Sequence, residues 1–164
     1  MRDSVALVGS AGTLTLGSGL VLEQTGSLDS IDGALVNAGR IDFNGGPWAS
    51  IGANQPGDLT NLGTIAIGAE EVVATAQDFA NAGLVQVGGV LDLTVAGGFA
   101  NTGRIGLAAG STLDLTADIT LAGLGRIDNS GGLLAIGGTI DLAGGTLAAA
   151  SGGVFADLLL TGTV

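Results

Sequence analysis

The 164 residues carry four basic and fifteen acidic side chains, a net charge of −11, and neither Cys nor His; disulfides, thiolate and imidazole catalysis and sulfur-bound metals are thereby excluded. A surface of that sign repels phosphate backbones and anionic lipid heads, which argues against nucleic acid as a partner. With 46% hydrophobic residues, 32 Gly, four Phe and one Trp, the chain is too apolar for a flexible linker and must pack a core of small aliphatic side chains in thin layers.

That length supports one continuous core, so residues 1–164 are read as a single domain. No apolar run approaches the roughly 18 residues of a membrane span, and no signal peptide is visible after Met1. An exported chain of this kind is expected to be a segment of something longer or a stacking subunit.

In chain order, Val5 and Leu7 followed by Thr13-Leu14-Thr15-Leu16 open the molecule with period-2 strand character. Next comes a phrase, apolar-x-Asn-x-Gly-x-apolar-x-apolar, first complete at Leu35 to Phe43. Its Asn recurs at positions 37, 61, 81 and 101, so the spacings are 24, 20 and 20 residues. A fifth copy, Leu121 to Asp128, has Gly123 in place of the Asn. Repeats of this length signal a solenoid or an array, and the contents here are strands, as Ile41-Asp42-Phe43, Ile65-Ala66-Ile67, Val85-Gln86-Val87 and Ile105-Gly106-Leu107 show. A second strand per coil is clearest in Leu91-Asp92-Leu93-Thr94 and Leu113-Asp114-Leu115-Thr116. The one stretch poor in Gly, Glu70 to Phe79, is rich in Val and Thr and is also read as strand.

The fold expected is all-β: a single-stranded parallel, right-handed β-helix of about 20–22 residues per coil, in seven to eight coils spaced about 4.8 Å apart. Within it, Asn37, Asn61, Asn81 and Asn101 are assigned to an internal amide ladder. Gly39, Gly63, Gly83, Gly103 and Gly125 are assigned to turns that need positive φ. Residues 44–58, with both prolines and Trp48, are expected to be an irregular loop insertion. An exposed Trp48 would stack on a sugar ring; the simpler expectation is that it folds back over the shaft.

Arg40, Arg104 and Arg126 share one repeat position and lie apart from any acidic cluster, next to Asp42 or Asp128, so they read as solvated charge. Asp92 and Asp114 align in the second strand, where two carboxylates would repel unless exposed or bridged by a cation. Gly137-Gly138-Thr139-Ile140-Asp141 departs from the calcium nonapeptide Gly-Gly-x-Gly-x-Asp, with Ile at the fourth position and the Asp one residue early. No catalytic residue, metal ligand or cofactor is assigned, and an enzyme is not expected.

The Asn-x-Gly-x-Ile phrase at about twenty-residue spacing, over residues 28 to 147, resembles the β-helical repeats of filamentous haemagglutinin-like adhesins and autotransporter passenger domains. Asn54-Gln55-Pro56-Gly57 does not match that family's Asn-Pro-Asn-Gly. The resemblance implies a structural or adhesive shaft at a bacterial cell surface or outside the cell. Its partners would be adjoining β-helix segments or neighbouring copies at the coil ends, and host or matrix glycans. The alternatives are a self-assembling filament subunit and a carbohydrate-binding or carbohydrate-active β-helix.

Overall fold

The structure is a computed structural model, and it describes residues 5–8, 12–24, 26, 28–146 and 158–164. Apolar side chains alternating along short strands demand one buried face, and parallel stacking of those strands supplies it. The first coil holds β1 (Val5–Val8), β2 (Leu14–Leu16) and β3 (Val21–Gln24). β4 (Leu28–Asn37) and β5 (Arg40–Phe43) form the second, β6 (Trp48–Asn61) and β7 (Thr64–Ile67) the third, and β8 (Glu71–Asn81) and β9 (Leu84–Val87) the fourth. β10 (Val90–Val95), β11 (Phe99–Asn101) and β12 (Arg104–Leu107) build the fifth. The sixth comprises β13 (Thr112–Thr116), β14 (Ile119–Thr120), the one-turn helix α1 (Leu121–Leu124) and β15 (Arg126–Asn129). β16 (Leu133–Gly137), β17 (Ile140–Asp141) and β18 (Leu158–Leu160) follow.

Every pairing between these strands is parallel, in a long sheet ordered β1-β4-β6-β8-β10-β13-β16-β18 with β2 and β11 beside β4 and β8, a facing six-stranded sheet ordered β15-β12-β9-β7-β5-β3, and a two-stranded sheet of β14 and β17. The molecule is a parallel β-solenoid of about six turns, consistent with a right-handed β-helix. Seven to eight coils were expected; the long sheet does continue through β16 and β18, but the facing sheet holds six strands among the described residues.

The core is a set of columns, one residue per coil. Ile41, Ile65, Val85, Ile105 and Ile127 stack in register, as do Val72, Leu91, Leu113 and Leu134, all of them buried. Phe79 lies over Phe99 with ring centroids 5.2 Å apart and planes inclined by 20°, an offset stack imposed by the parallel register of β8 and β11.

Two expectations need correction. Residues 48–58 are not a loop: they belong to β6, which pairs with both β4 and β8. From Ile31 to Leu35 β4 takes four steps (35 − 31), whereas β6 takes eight from Ile51 to Leu59 (59 − 51). The four additional residues of the 24-residue coil are thus a bulge within a strand, with exposed Ala53, Asn54, Gln55 and Pro56 at its crest. A parallel ladder tolerates the excess because the strand regains register at Leu59, Thr60 and Asn61.

The turn glycines also act differently from the expectation. Of the five, only Gly125 has positive φ, at 60°. For the rest the constraint is contact between coils: a Cβ on Gly63 would lie 2.0 Å from the carbonyl oxygen of Gly39, one on Gly83 2.1 Å from that of Gly63, and one on Gly103 2.2 Å from that of Gly83. Gly39 meets Leu20 O at 2.3 Å in the same way. Glycine is required because stacked turns touch backbone to backbone.

Candidate functional site

The Asn positions of the repeated phrase face inward. Asn37, Asn61, Asn81 and Asn101 are all buried, and Nδ2 of each of the first three donates to Oδ1 of the next at 2.8 Å. The second Nδ2 proton of each goes to a backbone carbonyl of the following coil: Thr64, Leu84 and Arg104 accept from Asn37, Asn61 and Asn81. Where the repeat loses its Asn, Asn101 Nδ2 donates to the carbonyls of Leu124 and Arg126, both at 3.0 Å. Leu124 is the last residue of α1, so the ladder ends by capping a helix carbonyl that lacks an intrahelical donor. α1 begins with Thr120 accepting from Gly123 N at 2.9 Å, and it occupies the place of the missing amide. All eight amide protons of the ladder therefore have acceptors inside the protein, and the four Asn side chains present nothing to a ligand.

The two outer faces differ in charge. On the short sheet, Arg40 pairs with Asp42, while Arg104 and Arg126, Cα partners across β12 and β15, both reach Asp128. Hydrogen bonds from Arg126 hold the Asp128 carboxyl below its usual range, helped by the charge of Arg104. On the long sheet, Asp92 and Asp114 are direct Cα partners in β10 and β13. Burial pushes the Asp92 carboxyl up, and the charges of Asp114 and Glu71 push it further. Thr75, Thr94 and Thr116 form a neighbouring row in register. No group of three or more His, Cys, Asp or Glu side chains among the described residues is arranged to hold a metal ion.

Trp48 opens β6 beside Glu71 and is 41% exposed, so the covering role holds only in part, and an aromatic surface faces solvent. Its carbonyl accepts from Gln24 Nε2 at 3.1 Å. The bulge that follows is tied down by Asp32, which accepts from both Asn54 N at 3.1 Å and Asn54 Nδ2 at 3.0 Å, and from Ser30 Oγ. Burial tends to raise the Asp32 carboxyl, but the hydrogen bonds from Ser30, Asn54 and Gln55 win and hold it below its usual range.

Three polar residues in or beside the core have no counterpart in the repeat phrase: Gln24 and Glu70 are buried, and Asn129 is half-buried. Gln24 stands in the column of Phe43, and Asn129 in that of Leu107, so amides close the same core column at both ends of the short sheet. Glu70 is buried at the corner entering β8. Aligning Val21 to Gln24 with Arg40 to Phe43 would have exposed Gln24 as a polar residue at a core position; Glu70 carries no such signal. A second surface feature is a shallow groove of about 250 Å³ lined by Asp118, Ile119, Thr120, Thr139 and Asp141. Asp118 accepts there from Thr139 N and Asp141 from Ala143 N, so both carboxylates are engaged in shaping turns.

These features define a β-solenoid repeat protein. Set against known proteins, the chain matches no family model, no curated protein and no solved structure.

Proposed function

We propose that the chain is a non-catalytic β-solenoid shaft of a bacterial extracellular or cell-surface protein, acting as a stiff spacer in adhesion or matrix. The observation that carries this reading is the unbroken inner column of Asn37, Asn61, Asn81 and Asn101, which spends the most distinctive residues of the repeat on axial cohesion. Four successive coils bonded both through backbone ladders and through side chains resist bending and shear along the axis. The haemagglutinin-like resemblance supplies the setting, and Trp48 is the side chain proposed to meet a glycan, because it offers an exposed indole next to the carboxylate of Glu71.

The adhesive part is tested with a glycan array probed by the purified protein and by Trp48→Ala. Binding to a saccharide that falls at least about tenfold in the variant, equivalent to about 1.4 kcal/mol, supports the assignment. Equal binding by both proteins removes Trp48 from it.

End-to-end assembly into a filament is the second reading, favoured by Leu159 and Leu160 on β18, the outermost strand of the long sheet, which are 50% and 38% exposed. Electron microscopy separates the two: monodisperse short particles support the shaft, and fibres support the filament.

A further inference from the structure

Two buried side chains converge on the corner where β5 hands the chain to β6. Gln24 and Glu70 are each 6% exposed, and Gln24 Oε1 and Glu70 Oε1 are buried oxygens with no hydrogen-bond donor. Glu70 uses its other oxygen, Oε2, to accept from Gly46 N at 3.2 Å. Gln24 Nε2 donates to the carbonyls of Gly26 and Trp48. Between them Gly46 is tightly confined: a Cβ there would lie 2.5 Å from Gln24 Nε2 and 2.6 Å from Gly26 O. The turn leading to Trp48 is therefore gripped on one side by an amide and on the other by a carboxyl group.

An ionised carboxylate in that place is poorly served. The Asn44–Pro47 turn on one side and Gly88 and Gly89 on the other contain no ionisable residue, and Gln24 on β3 is neutral. The nearest acidic neighbours in sequence, Glu71 beside Glu70 and Glu23 beside Gln24, are both exposed. Burial pushes the Glu70 carboxyl up, and the Gly46 N–H offsets only part of this.

We propose that Glu70 is a pH-responsive latch on the turn that presents Trp48. In its neutral form the carboxyl group stays packed in the corner and holds Gly46; when ionised it moves to water, and the segment from Gly46 to Trp48 loosens. The direction follows from linkage. A carboxyl whose pKa in the fold lies above the unfolded value contributes stability that is fully present below the unfolded pKa and is lost as pH rises through the folded one. The latch is thus closed in acid and released toward neutral pH. It operates whether or not Trp48 contacts a ligand.

Trp48 is the only Trp in the chain, so its emission reads this corner without interference. Emission and the hydrogen-exchange protection of the Gly46 amide are followed together from about pH 3.5 to about pH 8. The expected result is a single transition with its midpoint above the ordinary Glu value of about 4.3, and a Gly46 protection factor that falls at least about tenfold across it. Glu70→Gln should abolish the transition, whereas Glu71→Gln, which removes the carboxylate next to Trp48, should leave it in place. A transition that survives in Glu70→Gln, that disappears in Glu71→Gln, or that leaves Gly46 protected throughout would overturn the proposal. Should Glu70→Gln fail to fold, the carboxyl carbon shift of Glu70 in the native protein decides: a midpoint at or below the ordinary value contradicts the latch.

Discussion

Asn81 and Gly83 lie two residues apart and do different work in the same turn. Asn81 accepts from Asn61 and donates to Asn101 and to the Arg104 carbonyl, so replacing it by Ala orphans buried groups on both neighbouring coils. Asn81→Ala should lower stability by about 3 kcal/mol, seen as a melting temperature lower by about 6–10 °C; an unchanged melting temperature would contradict the buried ladder. Gly83 is constrained by space, since its Cβ would meet Gly63 O at 2.1 Å and backbone cannot give way as a side-chain tip does. Gly83→Ala should therefore be at least as damaging, by about 3 kcal/mol or loss of folding, while Gly19→Ala, with nothing within 4 Å of the added carbon, should change stability by less than about 0.5 kcal/mol. Thermal melts of the pair distinguish contact from mere glycine content. The spacing of Asn and Gly was legible in the sequence because a solenoid repeats its turn in every coil. The reason for the glycines was not, because a sequence shows where a small residue recurs and does not show which carbonyl lies above it.

At the scale of the element, β6 is the departure from regularity. Its extra length was legible as a 24-residue spacing, and Pro47, Trp48 and Pro56 made it look like a loop. The ladder overrides that impression because Ala49, Ser50 and Ile51 pair before the bulge and Leu59, Thr60 and Asn61 after it. Asp32 holds the crest through Asn54 with a carboxyl whose pKa is depressed. A group of that kind contributes stability that is present above its unfolded pKa, about 3.9, and is lost as pH falls through the folded value. Hydrogen exchange at Asn54 should accordingly rise relative to the other bulge-flanking amides below about pH 4, and in Asp32→Asn the acid-induced rise should be absent. A rise that persists in the variant would assign it to another carboxyl group. Glu70, at the corner entering β8, is displaced in the opposite direction, so the two buried acids that tether the segment from Gly46 to Asn54 respond to opposite ends of the acid range.

Taken as a whole molecule, the protein separates cohesion from surface. The inside carries the amide column and the aliphatic columns; the outside of the short sheet carries Arg40, Arg104 and Arg126 with their Asp partners, and the outside of the long sheet carries Glu71, Asp92 and Asp114. Asp92 and Asp114 stand directly opposite each other, and like charges so placed cost stability. Asp114→Asn should stabilise the fold by a few tenths of a kcal/mol at neutral pH and move the Asp92 titration toward its ordinary range, measurable by NMR; a destabilised variant would indicate that the pair is held by something other than repulsion. The solenoid class was legible because a period-2 pattern recurring every twenty residues has few other ways to bury its apolar side. The buried Glu70 was not, because it lies outside the phrase and the coil above it carries Gly89. The inner column is the feature on which the stiffness of the shaft depends, and side-chain amide exchange reads it most directly. By NMR, the Nδ2 protons of Asn61 and Asn81 should exchange about as slowly as the strand amides that flank them. Exchange at the rate of free, water-exposed amides would contradict a buried ladder and, with it, the shaft it is proposed to stiffen.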